Sequence, residues 1–302
     1  MTKNTPDISI VYRALNEEKW FRDSLVALQA QVLDESVEIV LVDSGSTDFT
    51  LNIAKEFECR ITHIKKADFS FGRSLNQGCD HARGNILVFI SAHCIPDNPN
   101  WLKNLIAPIQ NRQAVYTYGR QIGHDLSAFS EKQIFSKYFP NRSAIPQDGF
   151  FCNNANSAIT REAWRKYKFD ELVTGLEDMV LAKQLYADGE KIAYVAEATV
   201  IHIHEETREQ TKNRYYREAL TLRDIMPEVQ INFSDFIRYL SAGILLDFSV
   251  ALEKNKFWAY FWSIVRFRHA QYWGTYKGHH ESKKLSQEQK ERYYYPKNND
   301  KP

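Results

Sequence analysis

Residues 39–48 constrain the fold more than any other part of this chain. They read Ile-Val-Leu-Val-Asp-Ser-Gly-Ser-Thr-Asp, an apolar run that ends in an acidic turn. Such a run is typical of a buried strand in a parallel sheet, and it places Asp43 at the strand's carboxyl end, where open α/β sheets bind ligands. Ser46 or Thr47 is predicted to cap the next helix, so that Asp43 and Asp48 lie at this edge. The pattern favours a sugar or nucleotide hydroxyl as the partner.

Strand and helix signals alternate through the first two thirds of the chain, which predicts an α/β fold with a mostly parallel sheet and helices on both faces. The predicted strands are 8–12, 37–42, 60–64, 86–90, 114–121, 155–159 and 192–195. The predicted helices are 17–30, 49–57, 71–83 and 178–187. These elements form a predicted domain of residues 1–206, followed by a helical, aromatic-rich region of residues 207–302 whose polar tail is predicted to be mobile.

Composition excludes several classes of protein. With 39 basic and 38 acidic side chains the chain is close to neutral, which gives no general electrostatic reason to bind nucleic acid. Four scattered cysteines without CxxC spacing, and a start without an apolar signal segment, predict a reduced, cytoplasmic protein. Asp247 and the Glu-Lys-Asn-Lys cluster at 253–256 interrupt the most apolar part, so no membrane-spanning segment is predicted.

Four segments, in this order, carry a family resemblance. They are Ile-Val-Tyr-Arg-Ala-Leu-Asn-Glu-Glu at 10–18, the acidic turn at 42–48, Gly-Arg-Ser-Leu-Asn-Gln-Gly at 72–78 and Gly-Leu-Glu-Asp at 175–178. Together they resemble the family 2 glycosyltransferases of the GT-A fold, over residues 7–205. The resemblance implies a GT-A (Rossmann-like) domain that binds a nucleotide-activated sugar and transfers the sugar to an acceptor hydroxyl with inversion at the anomeric carbon.

The resemblance assigns the catalytic base to Asp178. Transfer with inversion needs one carboxylate to take the proton from the acceptor hydroxyl as that oxygen attacks the anomeric carbon. Glu177 and Asp178 open a predicted helix, whose positive amino-terminal end is expected to hold them ionised. Glu177 would orient the acceptor. The alternative is that both are ordinary acidic residues in a first helical turn.

The resemblance also implies a set of donor-binding residues. Asp43 would contact the base or ribose, Asp48 would shape the same pocket, and Arg73 and Asn76 would face the nucleotide. Asp48 could instead satisfy backbone N–H groups at the start of a helix, and Arg73 could be a solvated helix residue. Asn156 is predicted to contact the donor sugar or the acceptor, because amides both donate and accept hydrogen bonds. A role in the turn and strand is the alternative for Asn156.

The expected metal motif is altered in this chain. Where the family usually has Asp-x-Asp, the sequence reads Ser91-Ala92-His93. Ser91 is predicted to bind a ribose or phosphate, and His93 to be a ligand of a divalent cation, Mn²⁺ or Mg²⁺. His202 resembles the family's late histidine, and His204 points to the same side of an extended segment. Either both are ligands, or His202 is a ligand and His204 packs. Imidazole ligands suit Mn²⁺ better than Mg²⁺, and metal-independent transfer is the alternative.

The carboxy-terminal region combines aromatic and basic side chains between residues 254 and 268. This combination suits a helix on an anionic membrane surface, and equally a helix packed on the catalytic domain or on a second subunit. The resulting hypothesis is a bacterial transferase at the inner face of the cell membrane that extends a capsule or lipopolysaccharide glycan or a lipid-linked oligosaccharide. The alternatives are a catalytically silent nucleotide- or sugar-binding module and a nucleotidyltransferase, although residues 12–18 lack the phosphate loop expected of the latter.

Overall fold

The computed structural model describes residues 5–281, which fall into two compact units. The first unit contains the chain up to His124 together with Phe135–Val173 and Glu177–Ile203. The second contains Asp125–Ile134, Thr174–Leu176 and the chain from His204 onward. The main division therefore falls between Ile203 and His204, and two earlier segments join the second unit, whereas the sequence predicted two continuous domains.

The first unit is built on one eight-stranded sheet. Its strands are β1 (Ile8–Ala14), β2 (Val37–Asp43), β3 (Arg60–His63), β4 (Ile86–Ser91), β5 (Cys94–Pro96), β6 (Tyr116–Gly123), β7 (Asn156–Thr160) and β8 (Ile192–His202). The strand order is β3-β2-β1-β4-β7-β6-β8-β5. Strands β3, β2, β1 and β4 are mutually parallel, as are β6 and β8, whereas the β4–β7, β7–β6 and β8–β5 pairs are antiparallel. The predicted α/β class and mostly parallel sheet are confirmed.

Helices cover both faces of this sheet. Their bounds are α1 (Glu18–Gln29), α2 (Thr50–Glu56), α3 (Phe71–His81), α4 (Trp101–Gln110), α6 (Arg161–Tyr167) and α7 (Glu177–Ala187), and a further helix, α5 (Phe129–Tyr138), begins in the second unit and ends in the first. Successive β1 residues alternate between two apolar clusters, because side chains along a strand point to opposite faces. Tyr12 packs in the cluster that contains Phe21 of α1 and Trp101 of α4, and Val11 packs in the cluster that contains Leu75 of α3 and Trp164 of α6.

Two local predictions need correction. Neither Ser46 nor Thr47 caps α2, which begins after Phe49, a residue whose own side chain makes no capping hydrogen bond. The Ser46 hydroxyl instead accepts a hydrogen bond from the N–H of Asn16, at 3.0 Å. The strand predicted at 192–195 continues to residue 202, because β8 pairs first with β6 and then also with the short β5. This longer strand places His202 at its end.

The second unit contains the predicted carboxy-terminal helices α8 (Arg208–Ile225), α9 (Phe233–Glu253) and α10 (Phe257–His279). Helix α10 approaches α8 closely through two glycines four residues apart. A Cβ atom at Gly274 would lie 2.3 Å from the carbonyl oxygen of Lys212, and one at Gly278 would lie 2.4 Å from that of Tyr216. Any larger residue at either glycine would separate the two helices.

A buried ion pair joins α9 to α10. The guanidinium of Arg268 donates two hydrogen bonds to the carboxylate of Asp247, at 2.6 and 2.7 Å. Both side chains are buried. Within the described residues, no helix is both long and apolar enough to cross a membrane. Most of the polar tail that was predicted to be mobile lies beyond residue 281, outside the described residues.

Candidate active site

Asp178 lies in the first turn of α7, with its carboxylate buried in the first unit. The backbone N–H of Asn154 donates to Oδ2 at 2.8 Å, and the N–H of Met179 donates to Oδ1 at 2.8 Å. Each oxygen therefore accepts one backbone hydrogen bond, which fixes the plane of the carboxylate. The side chain is only 6% exposed, so its ionisation depends strongly on its surroundings.

Burial, together with the neighbouring carboxylate of Glu177, raises the pKa of Asp178 to about 7. The N–H groups of Asn154 and Met179 and the guanidinium of Arg13 act in the opposite direction. The N–H of Met179 at the helix start favours the ionised carboxylate, as predicted, but desolvation and the adjacent carboxylate outweigh it and leave the pKa raised. A carboxyl with a pKa near 7 is suited to accept a proton in neutral solution.

Arg13 brings a positive charge from the end of β1 to this pair. Its Nη1 atom lies 3.5 Å from Oε1 of Glu177 and donates to the carbonyl oxygen of Phe71 at 3.3 Å. Leu176, directly before α7, has a φ of +53°, a left-handed conformation that non-glycine residues rarely adopt. Such conformations persist where the surrounding structure requires them, and they are frequent at functional sites.

The acidic turn after β2 binds its own backbone. The Asp43 carboxylate accepts hydrogen bonds from the N–H groups of Gly45 and Ser46, each at 3.0 Å, and lies 3.2 Å from Nδ1 of His63. Gly45 has a φ of +99°, a backbone conformation that glycine adopts readily and other residues rarely do, which explains the glycine two positions after Asp43. The buried carboxylate thus shapes the turn at the strand's carboxyl end.

Asp48 connects the same turn to the first residues of α1 and α2. Its oxygens accept hydrogen bonds from the N–H groups of Glu18 and Thr50, both at 3.0 Å. These bonds match the alternative role, in which Asp48 satisfies N–H groups at a helix start. The carboxylate organises the two loops that follow β1 and β2.

Three of the predicted donor-binding side chains make extensive bonds within the protein. Arg73 donates to the Glu171 carboxylate at 2.8 Å and to the carbonyl oxygen of Asp68 at 2.7 Å. The Asn76 amide bonds to four groups, on Trp164, Phe169 and Glu171. The Asn156 amide accepts from the indole of Trp101 and donates to the carbonyl oxygens of Arg120 and Ala198. For Asn76 and Asn156 these bonds use the full donor capacity of the amide, which favours a structural role.

His93 follows β4 directly after Ser91 and Ala92, where the family usually has its acidic motif. Its Nδ1 atom lies 3.1 Å from Oε1 of Glu17, in the loop after β1. A carboxylate at Nδ1 holds the ring so that Nε2 presents its lone pair, the arrangement that metal-binding histidines commonly have. Ser91 lies at the end of β4 with its N–H bonded to the carbonyl oxygen of Ala155.

The tautomer of His202 follows from a chain of hydrogen bonds. The Oδ1 atom of Asn153 accepts from the N–H of Ala155, and it also accepts from Nε2 of Gln121 at 2.9 Å. The oxygen of Gln121 therefore faces His202, whose Nδ1 lies 2.7 Å away and must carry the proton. Nε2 of His202 is then the basic nitrogen of the ring.

His93 and His202 lie together in the first unit. Their rings are stacked, with centroids 5.2 Å apart and an interplanar angle of 23°, and Phe135 stacks with His202 at 5.5 Å. A ring nitrogen of one histidine lies within 4.8 Å of a ring nitrogen of the other. The two predicted ligands can therefore reach one ion without a large movement of the backbone.

His204 belongs to the second unit and makes a different set of contacts. Its Nδ1 atom lies 2.7 Å from Oε1 of Glu131, and Arg214 donates to the same oxygen at 2.6 Å. Arg214 also binds the carboxylate of Glu206, at 2.8 Å. Arg214 and His204 hold the pKa of Glu131 at about 2 against the effect of its burial. A guanidinium already balances these carboxylates, so this cluster is unsuited to a further cation.

Four residues of the site escaped the prediction: Arg13, Glu17, Gln121 and Asn154. Arg13 and Glu17 lie inside a segment that had already been singled out, and their position just after β1 is a usable signal. Gln121 and Asn154 carry no such signal, because they act on partners far away in the sequence.

The fold and the site define a class of protein. The structure is similar to the mannosyltransferase PcManGT from Pyrobaculum calidifontis in complex with GDP-Man and Mn2+, with a TM-score of 0.57 and 16% identity over 92% of this chain and 85% of that one. It is also similar to TarS from S. aureus in complex with UDP-GlcNAc, with a TM-score of 0.53 and 14% identity over 88% of this chain and 90% of that one. At these identities the likenesses show the fold, which is that of the GT-A glycosyltransferases.

The family follows from the sequence match. Residues 9–168, more than half of the chain, match Glycosyl transferase family 2, and the chain belongs to that family. It is 29% identical over 211 residues to the O-antigen chain rhamnosyltransferase WbaN of Salmonella anatum, a match that covers 66% of this chain and 65% of that protein. It is 24% identical over 221 residues to the O-antigen chain rhamnosyltransferase RfbN of Salmonella typhimurium, covering 69% of this chain and 70% of that protein.

Proposed function

We propose that this protein is an inverting glycosyltransferase that moves a sugar from a nucleotide-activated donor to a hydroxyl of a glycan or lipid-linked oligosaccharide in bacterial surface polysaccharide synthesis. Membership of family 2 supports sugar transfer, and the two rhamnosyltransferase relatives support a polysaccharide product. The observation that carries the proposal is the buried carboxylate of Asp178, which has a pKa of about 7 and is fixed by two backbone N–H groups.

Asp178 acts as the general base in the proposed reaction. Its ionised carboxylate takes the proton from the acceptor hydroxyl while that oxygen forms a bond to the anomeric carbon of the donor. The bond between the anomeric carbon and the diphosphate oxygen breaks, and its electron pair leaves with the nucleoside diphosphate. The proton on Asp178 then passes to solvent. Glu177, held by Arg13, orients the acceptor.

The donor binds at the carboxyl ends of β2 and β4, which flank β1 in the sheet. Asp43 contacts the nucleoside and Ser91 a ribose or phosphate oxygen, as the resemblance implies. Asp48 contributes by fixing the turn, and Arg73, whose side chain is partly exposed, remains available to the nucleotide. We do not include Asn76 or Asn156 among the donor contacts, because the protein already uses their amide hydrogens.

His93 and His202 are the proposed ligands of a divalent cation. Glu17 and Gln121 hold their Nδ1 atoms, so both rings can offer Nε2. A bound cation would supply positive charge to the leaving diphosphate. With imidazole ligands and no carboxylate in the altered motif, Mn²⁺ fits better than Mg²⁺, and PcManGT is a neighbour described with Mn2+. We favour His202 over His204, because His204 is engaged with Glu131 and Arg214 is close by.

A surface of the second unit is the proposed membrane attachment. We call it the aromatic-basic patch; it comprises Leu245, Leu246, Leu252, Trp258 and Trp262 with Lys254, Lys256 and Arg266. Trp258 is 84% exposed and Trp262 66% exposed, an unusual degree for tryptophan. Both lie on one stripe of α10 that ends at Arg266, since residues four apart share a face of a helix. Three cations and one nearby anion, Glu253, suit an anionic bilayer surface.

The proposal is tested by transfer assays with nucleotide-linked rhamnose, glucose, N-acetylglucosamine and mannose, using lipid-linked glycan acceptors. The anomeric configuration of the product, read by NMR, must be opposite to that of the donor. Asp178→Asn should abolish transfer but retain nucleotide binding, and Asp188→Asn, just beyond the other end of α7, serves as the matched control. Nucleotide binding without any transfer by the wild-type protein would favour the silent binding module.

A further inference from the structure

A buried polar cluster surrounds Asn154, the residue whose N–H holds the carboxylate of Asp178. The Tyr116 hydroxyl, at the start of β6, donates to Oδ1 of Asn154 at 2.6 Å. The Ser157 hydroxyl, on β7, donates to the same oxygen at 2.8 Å. The side chain of Cys152 also forms a hydrogen bond with Tyr116. All four residues are buried in the first unit.

The cluster is arranged around a single acceptor atom. Two buried hydroxyls converge on one amide oxygen, while Nδ2 of Asn154 has no hydrogen-bond partner among residues 5–281. A buried donor without a partner is unfavourable, so this geometry needs a compensating reason. Anchoring the oxygen from two sides fixes the side chain of Asn154 and, through it, the direction of the backbone N–H that points at Asp178.

The choice of asparagine fits this task. An aspartate at position 154 would accept the same two hydroxyl bonds, but it would add a third carboxylate next to Glu177 and Asp178. The neutral amide supplies the acceptor without the charge. An apolar residue would leave both hydroxyls without their acceptor in the interior. A cluster that merely filled space would be better served by apolar side chains.

We infer that Asn154, Tyr116 and Ser157 are positioning residues, which together hold the carboxylate of Asp178 in the orientation that proton transfer needs. The inference rests on the proposed role of Asp178 as the base. None of the three takes part in the chemistry itself. Tyr116 and Ser157 fix the side chain of Asn154, and the backbone of Asn154 fixes Asp178.

Several titratable groups surround Asp178 and affect its pKa. Glu177 lies beside it on α7, Arg13 reaches the pair from β1, and Cys152 and Tyr116 are the other titratable neighbours. Burial raises the pKa of both Cys152 and Tyr116 well above their usual values, so both stay neutral at physiological pH. The N–H of Asn154 favours the ionised carboxylate, and a loosened N–H therefore raises the pKa of Asp178.

The test measures the pKa of Asp178 without any substrate. Unfolding free energies are determined by urea titration between pH 4 and pH 9 for the wild type, Tyr116→Phe and Ser157→Ala, each with and without Asp178→Asn. Because the pKa of Asp178 is raised on folding, the ionised carboxylate destabilises the folded protein. The gain in unfolding free energy that Asp178→Asn produces therefore grows with pH above 3.8. It reaches an upper pH limit near the folded pKa, about 7 in the wild type. In Tyr116→Phe and Ser157→Ala this upper limit should move to higher pH by about 0.5 or more.

Two variants serve as controls. Tyr118→Phe removes another buried hydroxyl from the same face of β6 and should leave the limit unchanged, whereas Ser157→Thr keeps the hydroxyl and should restore the wild-type value. An unchanged limit in both Tyr116→Phe and Ser157→Ala would overturn the inference. Failure of the proposed function would show separately, as Asp178→Asn that transfers sugar as fast as the wild type.

Discussion

At the scale of single residues, the identity of the proposed base could be predicted and its state could not. Gly-Leu-Glu-Asp identifies Asp178 from four consecutive letters. The protonation behaviour of Asp178 depends on burial, on Glu177 and on the N–H of Asn154, which is 24 positions away along the chain. The same limit applies to His202, whose tautomer is set by Gln121 on another strand. Sequence patterns indicate which groups are present, whereas packing determines their pKa values and partners.

The pKa of Asp178 predicts the pH dependence of catalysis. The base must be ionised, so kcat/KM should rise about tenfold for each pH unit below about 7 and level off above that value. Glu177→Gln removes a negative neighbour that raises this pKa. The rising part of the plot of kcat/KM against pH should therefore move to lower pH, even if the maximum rate falls. Initial rates at subsaturating acceptor from pH 5 to pH 9 provide the measurement. A flat profile between pH 5 and pH 8 would remove Asp178 from the role of base.

At the scale of helices and strands, prediction succeeded where the apolar pattern is long and failed where it is short or interrupted. The parallel strands β1, β2 and β4 carry strong apolar runs and appear within two residues of the predicted bounds. The three-residue β5 has no pattern of its own and exists because it pairs with β8. Helix α4 was not predicted. It contains Pro108, and a proline inside a segment argues against a helix, although this helix tolerates it.

The buried pair between α9 and α10 makes a prediction about stability. Asp247→Asn leaves the guanidinium of Arg268 buried without its counter-charge and should lower the free energy of unfolding by about 3 kcal/mol. Replacing both residues, as in Asp247→Leu with Arg268→Met, should recover most of this loss. Chemical denaturation at pH 7 measures the three values. Glu209→Gln, which breaks the exposed pair with Lys212, should change stability by less than about 0.5 kcal/mol.

The aromatic-basic patch makes a prediction about membrane binding. Replacing Trp258 and Trp262 together by alanine should weaken binding to vesicles of phosphatidylglycerol and phosphatidylethanolamine by at least about tenfold, because two large exposed side chains are removed from the interface. Cosedimentation of protein with vesicles measures the loss. Phe49→Ala, an exposed aromatic of the first unit, is the matched control. Equal binding of the double variant and the wild type to the vesicles would refute attachment through the patch.

At the scale of the whole molecule, the fold suits a nucleotide-sugar site, whereas the altered motif lacks the usual metal-binding carboxylates. The fold places the carboxyl ends of β1, β2 and β4 side by side, as a nucleotide-sugar site needs. The residues that follow β4 are nevertheless Ser91, Ala92 and His93, so the oxygen ligands of the usual motif are missing. The nearby pair His93–Glu17 and the position of His202 at the end of β8 offer nitrogen ligands instead. We therefore predict that a cation binds through these nitrogens, with a different metal preference.

This preference can be measured on the intact protein by thermal shift. Ligands that bind only the folded state raise its melting temperature, by an amount that grows with concentration relative to Kd. UDP, GDP, CMP and dTDP are each combined with Mn²⁺, Mg²⁺ or EDTA, and one nucleotide should give a shift of several degrees with Mn²⁺ and a smaller one with Mg²⁺. In His93→Asn and His202→Asn the rise in melting temperature that requires Mn²⁺ should disappear, and the rise that nucleotide gives in EDTA should remain.

Two other histidines make the result specific. His81→Asn, on the exposed side of α3, should behave as the wild type, and so should His204→Asn, whose ring is engaged with Glu131. A shift that is equal in Mn²⁺ and EDTA for the wild type and every variant would mean that nucleotide binding is metal-independent, with Arg73 balancing the phosphate charge. In that case the change from carboxylates to Ser91-Ala92-His93 would mark the loss of the metal from the donor site, and the histidines would help to balance the charge of the diphosphate.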